Sequence, residues 1–221
     1  MNIHSKYKTI RDPFVLVIND FLSKEDNEAV LNEAIQNEKF YVDAEIGNGL
    51  DKTFRNNKVA FYDEIYQVDR TKSKLLSILN NKFDRDNPDT SFREILSSCP
   101  DPIDKFVFTN RDQNHVSRYG GDKSMYKWHI DRFENVNRVV TLVYYFFKEP
   151  KMFTGGELQV TNSPIVNGQT IEENPLIHTI EPKNNMAVIF SSTVPHRVLN
   201  TKSSDKFDEG RFSLNCWIGF K

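Results

Sequence analysis

The C-terminal segment of the chain alternates two kinds of side chain with a period of two residues, which predicts a half-buried strand. The first set is apolar and would face a core: Phe212, Leu214, Cys216 and Ile218. The second set is polar or aromatic: Arg211, Ser213, Asn215 and Trp217. An unpaired guanidinium is costly to bury, so Arg211 on such a face predicts an anionic partner, and its planar fork suits a carboxylate.

Residues 139–147 are apolar on both faces, which predicts a second strand that is covered on each side. Thr141 and Tyr145 would share one face of this strand. The Tyr145 phenol offers a hydrogen bond to the same carboxylate as Arg211. If Tyr145 and Arg211 instead lie in solvent at a sheet edge, neither has this role.

Helical periodicity is concentrated in the N-terminal part of the chain. Ser23 follows a short apolar run and is a favourable N-cap, which predicts a helix that ends near Gln36. The leucine spacing predicts a second helix from Asp69 to Phe83. We expect both helices to cover the outer face of a sheet, because strands that are apolar on both faces need packing on each.

From Lys105 onward, short strand patterns recur between Gly, Pro and Asn turns. This pattern predicts a mainly β fold with flanking helices, of the double-stranded β-helix type, a cupin-like jelly roll. The composition does not change abruptly anywhere, so residues 1–221 are expected to form one domain. Residues 1–104 would supply the helices and support strands, and residues 105–221 the β-helix core.

Composition limits the partners. The 29 basic and 31 acidic side chains give a net charge of −2 and are interspersed, so nucleic acid is not an expected partner. Only Cys99 and Cys216 are present, which favours a reducing compartment over a disulfide framework. The N-terminus lacks the apolar stretch of a secretion signal, and no apolar run reaches transmembrane length. We therefore expect a cytoplasmic protein; its oligomeric state is not indicated.

Candidate metal ligands lie in the His129-Ile130-Asp131 triplet. Side chains at i and i+2 of a strand share a face, so the imidazole and the carboxylate would lie side by side while Trp128 and Ile130 pack on the other face. With the distant His196 they would form the two-histidine, one-carboxylate set that binds non-haem Fe(II). The remaining histidines have no carboxylate at i+2 and are expected to be exposed or hydrogen bonded: His4, His115 and His178.

Further short motifs surround the triplet in a fixed order. They are Tyr119-Gly120-Gly121, Tyr126, Arg138, Gly155-Gly156-Glu157-Leu158, Ile180-Glu181-Pro182, Ala187-Val188-Ile189-Phe190, Pro195-His196, Arg211 and Trp217. Together with the triplet, they resemble the Fe(II)- and 2-oxoglutarate-dependent dioxygenases, in the prolyl-4-hydroxylase-like branch.

This resemblance implies a hydroxylase that uses Fe(II), 2-oxoglutarate and O2, with ascorbate as a candidate reductant. By resemblance, the iron ligands are His129, Asp131 and His196. The expected contacts to 2-oxoglutarate are Arg211 and Tyr145 at the distal carboxylate, Tyr119 near the chelating end, and Thr141 and Trp217. The expected substrate is an unactivated C–H bond of a prolyl or other residue in a protein or peptide.

Two segments depart from the resemblance or leave it open. The gap between His196 and Arg211 is longer than is usual in this branch, so residues 200–210 are predicted to form an exposed hairpin loop. If they do not, Arg138 or Arg197 would have to bind the carboxylate in place of Arg211. Residues 47–57 are polar and contain glycine, and form either a lid over the site or a solvated connection.

Three other functions stay open at this point. A zinc hydrolase could use the same three ligands with one open position, but it would not need Arg211 in the same cavity. A non-catalytic jelly-roll binding module would keep the ligands as a relic. The oxygenase chemistry could also act on a free amino acid or another small molecule, and the sequence does not separate this from hydroxylation of a protein.

Overall fold

The computed structural model of the chain describes residues 7–47, 49–83, 110–132 and 138–219. Its strands are β1 (Tyr7–Arg11), β2 (Phe14–Ile18), β3 (Val42–Asp43), β4 (Arg55–Asn56), β5 (Lys58–Phe61), β6 (Asn110–Tyr119), β7 (Ser124–His129), β8 (Val140–Phe146), β9 (Phe153–Gly155), β10 (Leu158–Thr161), β11 (Ile165–Val166), β12 (Gln169–Thr170), β13 (Ile177–Ile180), β14 (Met186–Ser191), β15 (His196–Ser203) and β16 (Arg211–Gly219). Its α-helices are α1 (Lys24–Gln36), α2 (Tyr62–Ile65) and α3 (Lys74–Phe83).

The strands form two main antiparallel sheets. The larger sheet has eight strands in the order β1-β2-β14-β8-β16-β6-β5-β3. The smaller has six, in the order β13-β10-β15-β7-β4 with β9 paired to β15. A separate two-stranded ribbon joins β11 to β12. Neighbours in each sheet are often distant in sequence, so the chain passes repeatedly between the two sheets.

Helices α1 and α3 cover the outer face of the larger sheet. The Ser23 hydroxyl accepts a hydrogen bond from the Asp26 backbone N–H at 3.0 Å and caps α1, as predicted. The second helix is confirmed only in part, because residues 70–72 form a 3-10 turn before α3 begins at Lys74. One apolar core joins the helices to the sheet, and it includes Val30, Ala34, Leu76, Leu79, Leu142, Phe212, Leu214, Cys216 and Ile218.

A second apolar cluster lies between the two sheets. Val143, Val188 and Phe190 of the larger sheet pack there with Leu158 and Val160 of the smaller sheet. The two faces of the larger sheet therefore differ in function. One face packs against the helices, and the other packs against the smaller sheet and borders the cavity between them.

Strand β16 has the alternation that its sequence predicts, with its apolar set in the helix-side core and its polar set facing the cavity. It pairs with β6 so that Arg211 is opposite Tyr119 and Asn215 is opposite His115. On the other side it pairs with β8, with Ser213 opposite Tyr145. This register brings residues from three strands to one wall of the cavity.

The prediction that residues 200–210 form an exposed hairpin loop is confirmed only for residues 204–206, which are exposed and lie outside any strand. Strand β15 continues through Ser203, and Thr201 is completely buried. The chain then crosses from the smaller to the larger sheet through a 3-10 turn at Phe207–Glu209. A strand of mostly polar residues has the composition of a loop, which is why the sequence pattern was misleading. The register of Arg211 is nevertheless the one predicted.

Cys216 is buried in the core, as predicted. The predicted loop at residues 84–90, as well as Cys99 and His4, lies outside the described residues. Within the described ranges, no helix is both long enough and apolar enough to cross a membrane.

Candidate active site

Three side chains that are distant in sequence meet at the junction of β7 and β15. His129 ends β7, and strand pairing places it opposite His196, the first residue of β15. The Asp131 carboxylate lies beside both imidazoles, with oxygens 3.8 Å from His129 Nε2 and 3.5 Å from His196 Nε2. One donor atom from each residue falls within 4.8 Å of the others. The structure thus brings the three predicted ligands together.

The sequence argument for this arrangement holds for Trp128 but not for Ile130. Strand β7 stops at His129, and the Asp131 backbone N–H donates to the Ser192 carbonyl at 3.0 Å. Because the strand has ended, the alternation of faces also ends. Trp128 is buried, whereas Ile130 is 39% exposed and lines the cavity, so its predicted place on a packed face is wrong.

Backbone hydrogen bonds fix the orientation of both imidazole rings. His129 Nδ1 lies 2.8 Å from the Lys127 carbonyl, and His196 Nδ1 lies 2.9 Å from the Val194 carbonyl. A carbonyl oxygen can only accept, so Nδ1 carries the proton in each ring and Nε2 keeps its lone pair. Burial and the neighbouring His196 lower the pKa of His129 well below its usual value, which keeps this ring neutral and able to bind a metal.

The Asp131 carboxylate is held in its ionised form. Burial by itself raises its pKa, but the adjacent His196 and His129 and a hydrogen bond from Thr141 outweigh burial and lower it. The Thr141 hydroxyl donates to Asp131 Oδ2 at 2.7 Å and lies 3.0 Å from the Ser192 hydroxyl. Thr141 therefore orients the carboxylate, and its predicted contact with 2-oxoglutarate stays a prediction.

A cavity of about 740 Å³ opens beside these three residues. Its lining includes all three candidate ligands together with Tyr119, Tyr145, Arg211 and Trp217. A volume of several hundred cubic ångströms is typical of sites for small molecules. The cavity thus joins the candidate metal site to nearly all of the predicted co-substrate contacts.

Arg211 is the most unusual residue of the cavity wall, because its side chain is 1% exposed and forms no ion pair within the described residues. Its guanidinium lies 4.6 Å from the Tyr119 ring centre and 4.7 Å from that of Tyr145. Nε and Nη1 of Arg211 and the Tyr145 hydroxyl are buried, and in the described part of the chain they have no hydrogen-bond partner of good geometry. Burial raises the pKa of Tyr145 while the nearby guanidinium opposes this, so the phenol stays protonated as a donor.

Unsatisfied buried donors of this kind need a ligand, because each costs about 1–3 kcal/mol if it remains unpaired. The donors on Arg211 and Tyr145 fit a carboxylate that approaches from the cavity. The two nitrogens and one carboxylate of the triad fit Fe(II). The residues present are therefore chemically suited both to a metal ion and to an anionic co-substrate bound next to it.

Arg138 and Arg197, the alternatives to Arg211 for the carboxylate contact, both contact tryptophan rings. The Arg138 guanidinium lies 3.7 Å from the Trp217 ring centre at the cavity wall. Arg197 donates from Nε to the Gln159 side chain at 2.8 Å and stacks on Trp128, outside the cavity lining.

Two cavity residues were missed or misjudged from the sequence. His115 is 4% exposed, its Nδ1 has no hydrogen-bond partner among the residues that the structure describes, and its ring packs against Trp217 and Phe61. The expectation of an exposed or hydrogen-bonded histidine is therefore wrong. Its i+4 spacing from Tyr119 along one strand was a usable signal. Arg55, in the segment considered as a lid, forms β4 against β7 and also lines the cavity.

Comparisons with known proteins agree with this site. Residues 114–219 match the 2OG-Fe(II) oxygenase superfamily. An uncharacterised PKHD-type hydroxylase of Synechocystis sp. is 29% identical over 207 residues, which cover 91% of this chain and 61% of that protein. The chain therefore spans less than two thirds of the length of this relative.

Two solved structures share the fold. A prolyl hydroxylase from Trichoplax adhaerens, in complex with a peptide fragment of the hypoxia inducible factor oxygen degradation domain, has a TM-score of 0.66 and 19% identity, covering 93% of this chain and 83% of its own. A Pseudomonas putida prolyl-4-hydroxylase has a TM-score of 0.61 and 20% identity, covering 93% and 92%.

The matched region contains the complete triad and Arg211, set in the jelly-roll fold of prolyl hydroxylases. Residues 114–219, which match the 2OG-Fe(II) oxygenase superfamily, make up slightly less than half of the chain. The predicted fold class is confirmed, and residues 114–219 match the predicted family.

Proposed function

We propose that this protein is a hydroxylase that uses Fe(II), 2-oxoglutarate and O2 to oxidise an unactivated C–H bond of a prolyl or other residue in a protein or peptide. The observation that carries the proposal is the shared cavity. The triad and a fully buried Arg211 without an ion pair among the described residues line the same space. A metal site and an unsatisfied carboxylate site that share one cavity match the needs of a keto-acid-dependent oxygenase.

His129, Asp131 and His196 would hold the iron. Both imidazoles present Nε2 to the cavity because Nδ1 is committed to a backbone carbonyl. Such outer hydrogen bonds fix ring orientation and support ligand basicity. When bound, Fe(II) with 2-oxoglutarate and O2 supplies the oxidising power for hydroxylation, with succinate and CO2 as co-products.

Arg211 and Tyr145 would bind the distal carboxylate of 2-oxoglutarate. The guanidinium offers two buried donors and the phenol a third, and none of the three has a hydrogen-bond partner of good geometry among the described residues. The apolar neighbours Val143, Leu158 and Val198 also line the cavity and would exclude water around the co-substrate chain. Tyr119 and Trp217 line the same wall and remain candidates for further contacts.

The cavity favours this reading over a zinc hydrolase. Hydrolysis at a three-ligand zinc site needs a general base beside the metal, and it gives no reason to bury an unpaired arginine in the same cavity. A non-catalytic binding module would not need both the oriented imidazoles and the buried donors. Oxygenase chemistry on a free amino acid or another small molecule uses the same residues and stays the second candidate.

The metal and co-substrate sites can be tested together. Under anaerobic conditions with Fe(II) and 2-oxoglutarate, we expect the visible charge-transfer absorption of a bidentate keto-acid complex. His129→Ala and His196→Ala should abolish it, while His178→Ala, a histidine outside the cavity, should retain it. Unchanged absorption in either triad variant would remove that residue from the site.

The substrate requires a separate measurement. Succinate release should be followed with prolyl peptides, with other peptides and proteins, and with free amino acids, each with and without ascorbate. Stimulation by peptides alone supports the first candidate, and stimulation by free amino acids alone supports the second. Absence of 2-oxoglutarate turnover under all conditions would contradict the proposed function.

A further inference from the structure

Arg55 is a further positively charged residue that lines the cavity, in addition to Arg211 and Arg138. Its guanidinium lies 4.7 Å from the Tyr126 ring centre, and Tyr126 stacks on the imidazole of His129 with ring centres 3.5 Å apart. The three planar groups therefore form one stack that ends at a candidate metal ligand. All three line the cavity.

The partners of Arg55 are neutral. Nε donates to the Asn57 side chain at 2.9 Å, and Nη1 donates to the Glu45 carbonyl at 3.3 Å. No carboxylate within the described part of the chain forms an ion pair with it. Asp43 and Glu45 also line the cavity, but Asp43 pairs with Lys52 at 2.7 Å and Glu45 contacts Arg55 through its backbone carbonyl. The guanidinium is thus held in place by neutral groups, without an ion pair in the described ranges.

The charge of Arg55 is felt inside the cavity. Burial lowers the pKa of His115 to about 3, and Arg55 is the largest of the charges that add to this effect. His115 lies on β6, within the larger sheet, whereas Arg55 lies on β4 of the smaller sheet. Arg55 and His115 therefore face the same cavity from opposite sheets.

The 2-oxoglutarate carboxylate already has a site at Arg211, where the buried unsatisfied donors are found. Arg55, which stacks through Tyr126 beside the imidazole of His129 and has no carboxylate partner among the described residues, is then available to the substrate. We infer that Arg55 is a specificity-determining residue that binds a carboxylate of the primary substrate and thereby holds the neighbouring carbon near the metal. This inference rests on the proposed function. The carboxylate belongs either to a free carboxylic acid, such as an amino acid, or to an acidic peptide.

The alternative is that Arg55 only stabilises the stack with Tyr126 and His129. If Arg55 has only this structural role, its substitution should change the response to acids and to their neutral analogues equally. The informative quantity is therefore the ratio of the response to an acid to the response to its neutral analogue. Each probe is therefore used as a pair: L-amino acids against their amides, and prolyl peptides with Asp or Glu next to the proline against the same peptides with Asn or Gln. The amino-acid pairs test a free carboxylic acid as the source of the carboxylate, and the peptide pairs test an acidic peptide.

Two readouts apply to every pair: stimulation of succinate release by the iron-loaded enzyme, and binding to the metal-free protein by calorimetry. We expect the wild type to prefer at least one acid over its neutral partner by about tenfold to a hundredfold, the range for a charge-assisted contact. Arg55→Gln should reduce this ratio to near one, and Arg55→Lys should restore part of it.

Arg197→Gln is the matched control. Arg197 also stacks on an aromatic ring, at 4.7 Å from the Trp128 centre, and also donates to a neutral amide, but it does not line the cavity. The Arg197→Gln variant should show the same ratio of responses to acid and neutral probes as the wild type. The inference is wrong if the wild type prefers no acid in either readout, or if the preference persists in Arg55→Gln. If the wild type shows no 2-oxoglutarate turnover at all, the proposed function is contradicted instead. The calorimetric comparison of acids with their neutral partners would still test the role of Arg55.

Discussion

Gly156 leaves the space that the side chain of Arg211 occupies. A Cβ atom placed on Gly156 would lie 2.8 Å from Arg211 Cδ, a distance that real Cβ atoms essentially never show. The same atom would lie 2.8 Å from the buried Thr201 hydroxyl, so Arg211 cannot simply move toward Thr201. The double-glycine motif therefore has a physical role at the cavity, since it lets the arginine pass close to the backbone.

Gly156→Ala should impair binding of 2-oxoglutarate without removing iron. Overpacking a well-filled site costs about 1–3 kcal/mol. Because the added methyl group would displace the Arg211 guanidinium, this cost should appear as weaker binding of 2-oxoglutarate. We expect KM for 2-oxoglutarate to rise roughly tenfold, while iron binding measured without 2-oxoglutarate stays near the wild-type value. Gly121→Ala is the control, because Gly121 has a similar positive φ of 80° against 77° but has open space around its Cβ position. Equal effects of the two substitutions would indicate backbone strain alone.

Arg211→Ala tests the carboxylate contact directly. Loss of a charge-assisted contact of about 1.5–3 kcal/mol should weaken 2-oxoglutarate binding roughly tenfold to a hundredfold. Arg211→Lys should recover only part, because an ammonium cannot form the parallel pair of hydrogen bonds. Tyr145→Phe should have a smaller effect, since it removes one neutral donor. Binding is measured by titration of the Fe(II) protein with 2-oxoglutarate, and wild-type affinity in Arg211→Ala would mean that another cation binds the carboxylate.

Thr141→Val should weaken metal binding even though Thr141 is not a candidate ligand. The variant keeps the shape of the side chain but removes the hydroxyl that donates to Asp131 at 2.7 Å. Loss of such an outer hydrogen bond typically reduces metal affinity tenfold to a hundredfold. Thr141→Ser retains the donor and serves as the control. Competition with a metal chelator gives the affinities, and equal values for wild type and Thr141→Val would exclude this role.

The parts of the fold that the sequence predicts are those that local rules decide. Alternation along β16 depends only on the two-residue period of a strand, so Arg211 and Trp217 were assigned correctly to the cavity face. The Ser23 cap depends on one hydrogen bond within a single turn. The triad is predicted because its residues occur with several ordered short motifs that together resemble the dioxygenases, although the local geometry at Ile130 differs from the prediction.

The parts that the sequence missed depend on strands that are distant along the chain. Thr201 is buried only because β15 is flanked by β7, β9 and β10. Nothing in its own polar neighbourhood indicates this burial. Arg55 reaches the cavity only through the pairing of β4 with β7, a contact between residues far apart in sequence. Burial of polar residues is set by such non-local partners, and a local pattern carries little information about them.

His115 should make the stability of the protein sensitive to acid. The charges that act on it are Arg55 and Arg138, which oppose protonation, and Asp131, which favours it, and burial dominates all three. Its pKa is lowered from 6.5 to about 3, so the unfolded chain binds a proton in this range of pH while the native state does not. The free energy of unfolding therefore falls as pH decreases from about 6.5 toward 3, and His115 has no effect on its slope above that range.

His115→Phe should remove this contribution while keeping a ring that can pack against Phe61 and Trp217. Urea unfolding of the metal-free wild type and variant at pH 7.5 and pH 5 gives the loss of stability for each protein. We expect the wild type to lose more stability than His115→Phe between these two pH values. Only the wild type has the His115 imidazole, which takes up a proton in the unfolded state but stays neutral in the native state. Other histidines, including His129, contribute equally to both proteins and cancel in the comparison. An equal loss in the two proteins would mean that the imidazole accepts a proton in the native state and that the cavity is more polar around His115 than its neighbours indicate.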